Sequence, residues 1–319
     1  MKAIIADIVA AIERHHSFLV TTHEGPDGDA VGSALALGNH LARLGKDVTV
    51  HLIDPVPETY QFLPMSEQVL RHVPERQYDV CFVLDVGEFR RAGKEIAACG
   101  TIGSFINIDH HLSCENFGAI NLIDPEACAT GALIYRVISG SGLTPDYPTA
   151  LCIYTAVISD TGSFHYSNSN PEAFAIAGAM VGLGVQPWTV TEPLFESYPK
   201  ARQDLLALAL SDLTVSPSGR YASITVTLEM YRRTGGSAEL TDGFINYARQ
   251  IKGVEVALFF REVKDGVFKV GFRSKGKVNV AELSALFGGG GHHNAAGCTV
   301  AGTLAEVKGA VFERLEQKL

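Results

Sequence analysis

Short apolar runs alternate with helical patterns through the first half of the chain. Runs at 18–22, 48–53, 80–84 and 105–108 have the length and β-branched content of buried strands. Between the first two, residues 30–44 bring Val31, Ala34, Leu35, Gly38 and Leu41 onto one helical face. Helical patterns return at 130–139 and 148–158, and Pro171 opens an alanine-rich one that ends near 182–184. Alternation of this kind predicts a parallel sheet assembled from crossover units. The pattern changes in the last hundred residues. Strand-like alternation occupies 221–230, 254–263 and 267–273, with Lys264-Asp265-Gly266 as a hairpin turn, and helical patterns fall at 242–251, 280–286 and 304–319. An α/β chain is expected, with a parallel-sheet domain over 1–185 and a smaller mixed-sheet α/β domain over 216–319. The intervening 186–215 carries Pro187, Pro193 and Pro199 and reads as a connector or hinge rather than a core element.

Charge sharpens this division. The 319 residues are 46% apolar and 19% charged, ample for buried cores, with a formal net charge of −9. Residues 1–185 hold 10 basic and 21 acidic side chains, a net of −11, whereas 216–319 hold 14 and 10, a net of +4. The acid excess argues against wrapping long nucleic acid, and the asymmetry suggests cations bound in the first part and anions in the last. Six scattered cysteines with no CxxC pair argue against a disulfide framework or zinc–thiolate site and point to the reducing cytoplasm. Asp7 and Glu13 interrupt the N-terminal apolar stretch, so no signal-peptide core is expected there. No uncharged apolar run reaches the roughly 20 residues that cross a bilayer, so a soluble protein with no membrane partner is expected.

The acidic part places its carboxylates where strands or helices end. His23, Asp27 and Asp29 follow the first strand, Asp85 the third, Asp109-His110-His111 the fourth, and Asp160 closes a helix before Thr161-Gly162. In an open parallel sheet, ligands bind beyond the carboxyl ends of the strands. Asp27 or Asp29 alone would read as a helix cap, and His110-His111 alone as structural histidines. Four such segments converging on one rim favour metal, because crowded carboxylates need cations to neutralise them. Aspartate and histidine without cysteine suit Mn²⁺ or Mg²⁺ best, with Co²⁺, Fe²⁺ or Zn²⁺ open, and the number of groups fits a two-metal site. In the basic part, the glycine run 288–291 followed by His292 and His293 lacks the Gly-Lys-Ser/Thr of an ATP cradle but could offer backbone N–H groups to an anion. Arg273, Lys275 and Lys277 precede it, and Arg261 is expected on the neighbouring strand.

Taken together, HxxxDxD at His23, Asp27 and Asp29, then Asp85, Asp109-His110-His111, Asp160-Thr161-Gly162 and the FGGGGHHNAAG stretch at 287–297 resemble the DHH phosphoesterase superfamily with a DHHA1 C-terminal domain. The two-domain length is similar to its NrnA-type nanoRNase and pAp-phosphatase group. The resemblance implies two divalent ions, Mn²⁺ ranking first, with His23, Asp27 and Asp85 on one. Asp29, Asp85, His110 and Asp160 would hold the other, Asp85 bridging. His111 would face the scissile phosphate and Asp109 would orient a histidine, the two being the expected catalytic pair. Arg91, Arg273, Ser274, Gly290, Gly291 and His292 match positions that hold substrate, with Arg90 competing with Arg91. Two departures stand out: His165 where relatives often carry arginine, and Ala132 where many carry glutamate.

The expected activity is metal-assisted hydrolysis, by in-line attack of water, of short oligoribonucleotides to mononucleotides, of pAp to AMP and phosphate, or of both. The basic domain would hold the substrate's other phosphate and limit its length. A cyclic or linear dinucleotide phosphodiesterase is the alternative within the enzyme class, and a nucleotide-binding sensor the alternative outside it. Expected partners are short RNA or small nucleotides and no long duplex, with a homodimer left open.

Overall fold

The computed structural model describes residues 1–319, the side chain of His292 excepted. Two units divide between Ser197 and Tyr198.

The first unit runs α1 (Lys2–Arg14), β1 (Ser17–Thr21), α2 (Gly28–Arg43), β2 (Asp47–His51), β3 (Tyr78–Leu84), α3 (Lys94–Ala98), β4 (Ile102–Asp109), β5 (Ile120–Ile123), α4 (Thr130–Gly140), α5 (Tyr147–Asp160), α6 (Pro171–Gly182) and α7 (Pro187–Thr191). Its five strands pair in parallel in the order β2-β1-β3-β4-β5. Side chains alternate across this sheet as the period of two requires. Phe18, Val20, Phe82, Ile106 and Ile108 pack with α2, α4 and α5, while Leu19, Cys81 and Val83 face Ala92 and Ile96 on the other side. Close approach of α2 to α5 depends on Gly32, where a Cβ would lie 2.8 Å from Cys152 O. That crossing carries the start of α2 toward the end of α5.

The second unit contains α8 (Lys200–Ser211), β6 (Thr214–Val215), β7 (Tyr221–Val226), α9 (Leu228–Thr234), α10 (Phe244–Arg249), β8 (Val256–Lys264), β9 (Val267–Ser274), α11 (Val280–Ala285), β10 (Gly290–His292), β11 (Ala295–Ala301) and α12 (Leu304–Glu316). Its mixed sheet has the order β10-β11-β9-β8-β7-β6, with β7 and β8 parallel and the remaining pairs antiparallel.

Three local expectations change. A fifth strand, β5, closes the first sheet. The run expected as a strand over 221–230 breaks at Thr227, whose side chain accepts the Met230 N–H and starts α9. Residues 186–215 are largely helical, and Val190, Leu194, Leu205 and Ala209 are buried in their respective units, against the expectation of a segment outside the cores. All six cysteines are free. No single helix among the described residues is long and apolar enough to cross a membrane.

Candidate metal centre

Each expected ligand is held by the end of an element. Beyond β1, His23 turns its Nδ1 to the Glu24 carbonyl at 2.8 Å. His110, just past β4, directs Nδ1 to the Ala127 carbonyl at 3.2 Å. A carbonyl only accepts, so each Nδ1 is the donor and each Nε2 is left facing the rim, the orientation found in metal-bound imidazoles. Asp27 caps α2, its Oδ1 accepting the N–H groups of Asp29 and Ala30 at 3.1 Å each. Asp29 is buried and accepts from Thr130 N at 2.6 Å, Gly131 N at 3.0 Å and Ser33 Oγ at 2.9 Å. Asp85 follows β3 with φ of 60°, a left-handed conformation that costs a non-glycine residue about 1–2 kcal/mol and recurs at functional sites. Asp160 ends α5 and accepts from Asn168 Nδ2 at 2.9 Å.

These groups meet. His23 Nε2 lies 3.7 Å from Asp85 Oδ2. His110 Nε2 lies 3.6 Å from Asp85 Oδ1, 3.7 Å from Asp29 Oδ2 and 3.8 Å from Asp160 Oδ2. Such spacings are too long for hydrogen bonds and suit atoms that share one ion, each at roughly 2.1 Å from it. Ligand atoms fall within 4.8 Å of one another in three sets: His23, Asp27 and Asp85; Asp29, His110 and Asp160; and Asp85, His110 and His111. Asp85 belongs to two of them, with a different oxygen toward each of His23 and His110. The donor set therefore fits divalent cations, hard carboxylate oxygens mixed with imidazole nitrogen.

Electrostatics agree with that fit. Burial, then repulsion from Asp29 and Asp27, holds the Asp85 carboxyl well above the usual range. Burial and Asp29 push Asp160 up to about 7, and burial raises Asp29 as well. Asp109 behaves oppositely. Burial would raise it, but hydrogen bonds outweigh that and hold it far below its ordinary value. His111 Nδ1 sits 2.7 Å and His111 N 2.8 Å from its Oδ1, and Gly87 N sits 2.6 Å from Oδ2. The same bond raises the His111 pKa. An ionised Asp109 thus stands behind a His111 that is poised to carry positive charge.

Arg91 and Arg90 separate clearly. Arg90 is exposed and paired with Glu88, whereas the half-buried Arg91 reaches the Val86 carbonyl at 3.5 Å and accepts the Glu24 N–H at 2.9 Å through its own carbonyl. Arg91 is the one tied to the loops of His23 and Asp85.

In the second unit Arg273 and Ser274 end β9. Arg273 directs a guanidinium N–H to the Phe272 carbonyl at 3.0 Å, and buried Ser274 donates to Asn294 Oδ1 at 3.0 Å. Gly290 and Gly291 lie in β10, at the edge of the sheet and opposite Gly297 and Ala296. The His292 side chain lies outside the described residues. The expectation of a row of open N–H groups is corrected for the first two glycines. Gly288 N and Gly289 N are donated to the carbonyls of Ala285 and Ser284. The glycines answer a packing demand instead, since a Cβ at Gly289 would lie 2.3 Å from Gly297 O and one at Gly291 2.5 Å from Ala295 O.

Comparison with known proteins agrees with this geometry. The DHH family, N-terminal domain, matches residues 17–157, and the DHHA1 domain matches 223–319. A Thermus thermophilus protein named bifunctional oligoribonuclease and PAP phosphatase NrnA is 31% identical over 318 residues, covering 99% of this chain and 94% of its own. The chain belongs to the DHH family. As a DHH-family chain it is a hydrolase of the phosphoesterase class, and the family is metal-dependent. A Bacillus subtilis protein of the same name is 23% identical over 300 residues, 92% of each chain. The crystal structure of an exopolyphosphatase-related protein from Bacteroides fragilis superposes with a TM-score of 0.94 at 30% identity, covering 99% of this chain and 96% of that one. That likeness spans both DHH and DHHA1 regions, so a C-terminal domain of this kind does not by itself set the chain apart from proteins named for polyphosphate.

Three residues at this DHH site escaped the sequence reading. Thr130 and Gly131 hold Asp29 from the start of α4, and Thr130 also reaches Asp85. Asn168 holds Asp160 and, through the same Nδ2, the Cys128 carbonyl at 2.9 Å. A threonine opening a helix and an asparagine in a polar loop are ordinary in sequence, and only the fold shows what they touch.

Proposed function

We propose that the chain hydrolyses phosphoesters in short oligoribonucleotides, releasing mononucleotides, and converts pAp to AMP and phosphate. The observation that carries this reading is Asp85, one oxygen of which faces His23 Nε2 at 3.7 Å while the other faces His110 Nε2 at 3.6 Å, joining two groups of candidate ligands at one rim. We infer two divalent cations, Mn²⁺ before Mg²⁺ or Co²⁺. His23, Asp27 and Asp85 hold one, and Asp29, Asp85, His110 and Asp160 the other. Bound there, the cations lower the pKa of water and neutralise phosphoryl oxygens. His111, oriented by the Asp109 carboxylate on its Nδ1, gives an N–H to a phosphoryl oxygen and stabilises charge as it develops. Arg91 adds a guanidinium beside the same loops. Arg273, Ser274, Gly290, Gly291 and His292 bind the substrate's other phosphate or nucleotide, which favours short substrates and explains why a chain of net charge −9 manages without a long basic surface. Residues 1–185 act as the catalytic domain, 216–319 as the substrate-holding domain, and 186–215 joins them. Six free cysteines suit a cytoplasmic location.

The relatives' printed names, oligoribonuclease and PAP phosphatase, support the substrate choice, while the exopolyphosphatase-related structure makes polyphosphate a competitor to test. Purified protein with Mn²⁺ would be offered pAp, a 5′-phosphorylated diribonucleotide, a longer oligomer, a cyclic dinucleotide and polyphosphate, with products separated by chromatography. Turnover of pAp or the dinucleotide well above the rest is expected. Cleavage confined to the cyclic substrate or to polyphosphate would overturn the proposal, and no cleavage at all would favour a nucleotide sensor.

A further inference from the structure

Thr130 stands between the carboxylates that the two inferred cation sites depend on. Its backbone N–H donates to Asp29 Oδ2 at 2.6 Å, and its hydroxyl donates to Asp85 Oδ1 at 3.1 Å. The next N–H, of Gly131, reaches the other Asp29 oxygen at 3.0 Å. Asp29 is thus pinned through both oxygens at the start of α4, an 11-residue helix whose first turn favours a negative charge. Asp85 is held far less. The Thr130 hydroxyl donates to its Oδ1, His111 Nδ1 lies 3.4 Å from that same oxygen while bonded to Asp109, and Asp85, on a strained backbone, turns one oxygen toward His23 and the other toward His110.

Rotation about the Cβ–Cγ bond of Asp85 would move both oxygens at once, so whatever fixes that rotation fixes the geometry of both sets. We propose that Thr130 is the positioning residue for Asp85, coupling its orientation to the Asp29 anchor. The residue type suits the task. A β-branched side chain has a restricted χ1, and Thr130 is fully buried, so its hydroxyl has few directions to point. A hydroxyl also orients a carboxylate without cancelling its charge. A lysine or arginine in this place would compete with the cation for the same oxygen.

This inference rests on the cation-site reading above, and the test keeps the two apart. Metal-free wild type, Thr130→Val and Thr130→Ser would be titrated with Mn²⁺, following free Mn²⁺ and the spin-coupled signal of a close ion pair by electron paramagnetic resonance. Wild type is expected to bind two ions with a coupled signal, and Thr130→Ser to match it closely. Thr130→Val should bind Mn²⁺ about 10- to 100-fold more weakly, the usual cost of losing a group that orients a ligand, and should lose the coupled signal. If Thr130→Val does not fold, Thr130→Ala against Thr130→Ser isolates the same hydroxyl. A hydroxyl-free variant that binds and couples like wild type would overturn the role of Thr130 and leave the site standing. Wild type that binds no Mn²⁺ would overturn both.

Discussion

The rim of the first unit and the β9–β10 region of the second keep their polar groups in place by different means. At the rim, Asp29, Asp85 and Asp160 are brought together although burial raises the pKa of all three and Asp29 raises the other two further, and the backbone tolerates a left-handed aspartate to achieve it. In the second unit, Ser274 donates to Asn294, and glycines let β10 close onto β11. The first arrangement is expensive until a cation arrives. The second is complete by itself. Perturbed carboxylates of the first kind cluster at sites that perform chemistry, and the second unit shows no such crowding among its described residues at β9–β10.

The sharpest way to break the contrast is at Asp85. Replacing it with asparagine keeps the shape and removes the shared charge, and turnover with Mn²⁺ should fall on the order of a thousandfold. Near-normal turnover of Asp85→Asn would place the chemistry elsewhere. Arg273→Ala tests the opposite pole. KM for a phosphorylated dinucleotide should rise roughly 10- to 100-fold, the worth of a hydrogen bond to a charged group, with Mn²⁺ affinity unchanged. A change in Mn²⁺ affinity instead would deny the separation of roles. Gly289→Ala should destabilise the second unit by about 1–3 kcal/mol through overpacking against Gly297, measured by denaturant unfolding. An unchanged midpoint would contradict the packing account.

The smallest expected effect concerns pH. In the metal-free protein Asp160 titrates near 7, against 3.8 for the ordinary carboxyl, and Asp29 and Asp85 are raised too. The folded state then holds more protons than the unfolded chain between about pH 4 and 7, so its stability falls as pH rises through that window. His111 acts in the same direction, because its raised pKa contributes stability that is lost as it deprotonates. Asp109 acts oppositely, but only below about pH 4, where its depressed pKa departs from that of the unfolded chain. Mn²⁺ neutralises the rim, so the melting-temperature gain from Mn²⁺ should widen from pH 5 to pH 8. A gain that narrowed with pH would mean these carboxyls are not crowded in the way described.

Much of the rim is legible in the sequence because its residues sit at element ends, where periodicity gives out and an acid beside a glycine stands exposed. Asp85 and Asp160, each two residues before a glycine, are of this kind, and Asp109-His110-His111 shows itself by ending an apolar strand run. Thr130 and Asn168 are not, since their roles come from contacts across 45 and 8 residues that no local pattern records. The glycine run was legible as unusual but not as to cause. Whether a glycine frees an N–H or admits a neighbouring carbonyl depends on which strand it meets, and Gly289 meets Gly297. The strand-to-helix break at Thr227 was hidden for a related reason: a threonine continues an apolar alternation as easily as it caps a helix.

The most direct measurement is anomalous diffraction at the manganese edge from crystals of the protein equilibrated with Mn²⁺. Two peaks about 3.5–4 Å apart are expected, with Asp85 between them, His23 and Asp27 beside one, and Asp29, His110 and Asp160 beside the other. A single peak, or a pair that Asp85 does not touch, would contradict the account.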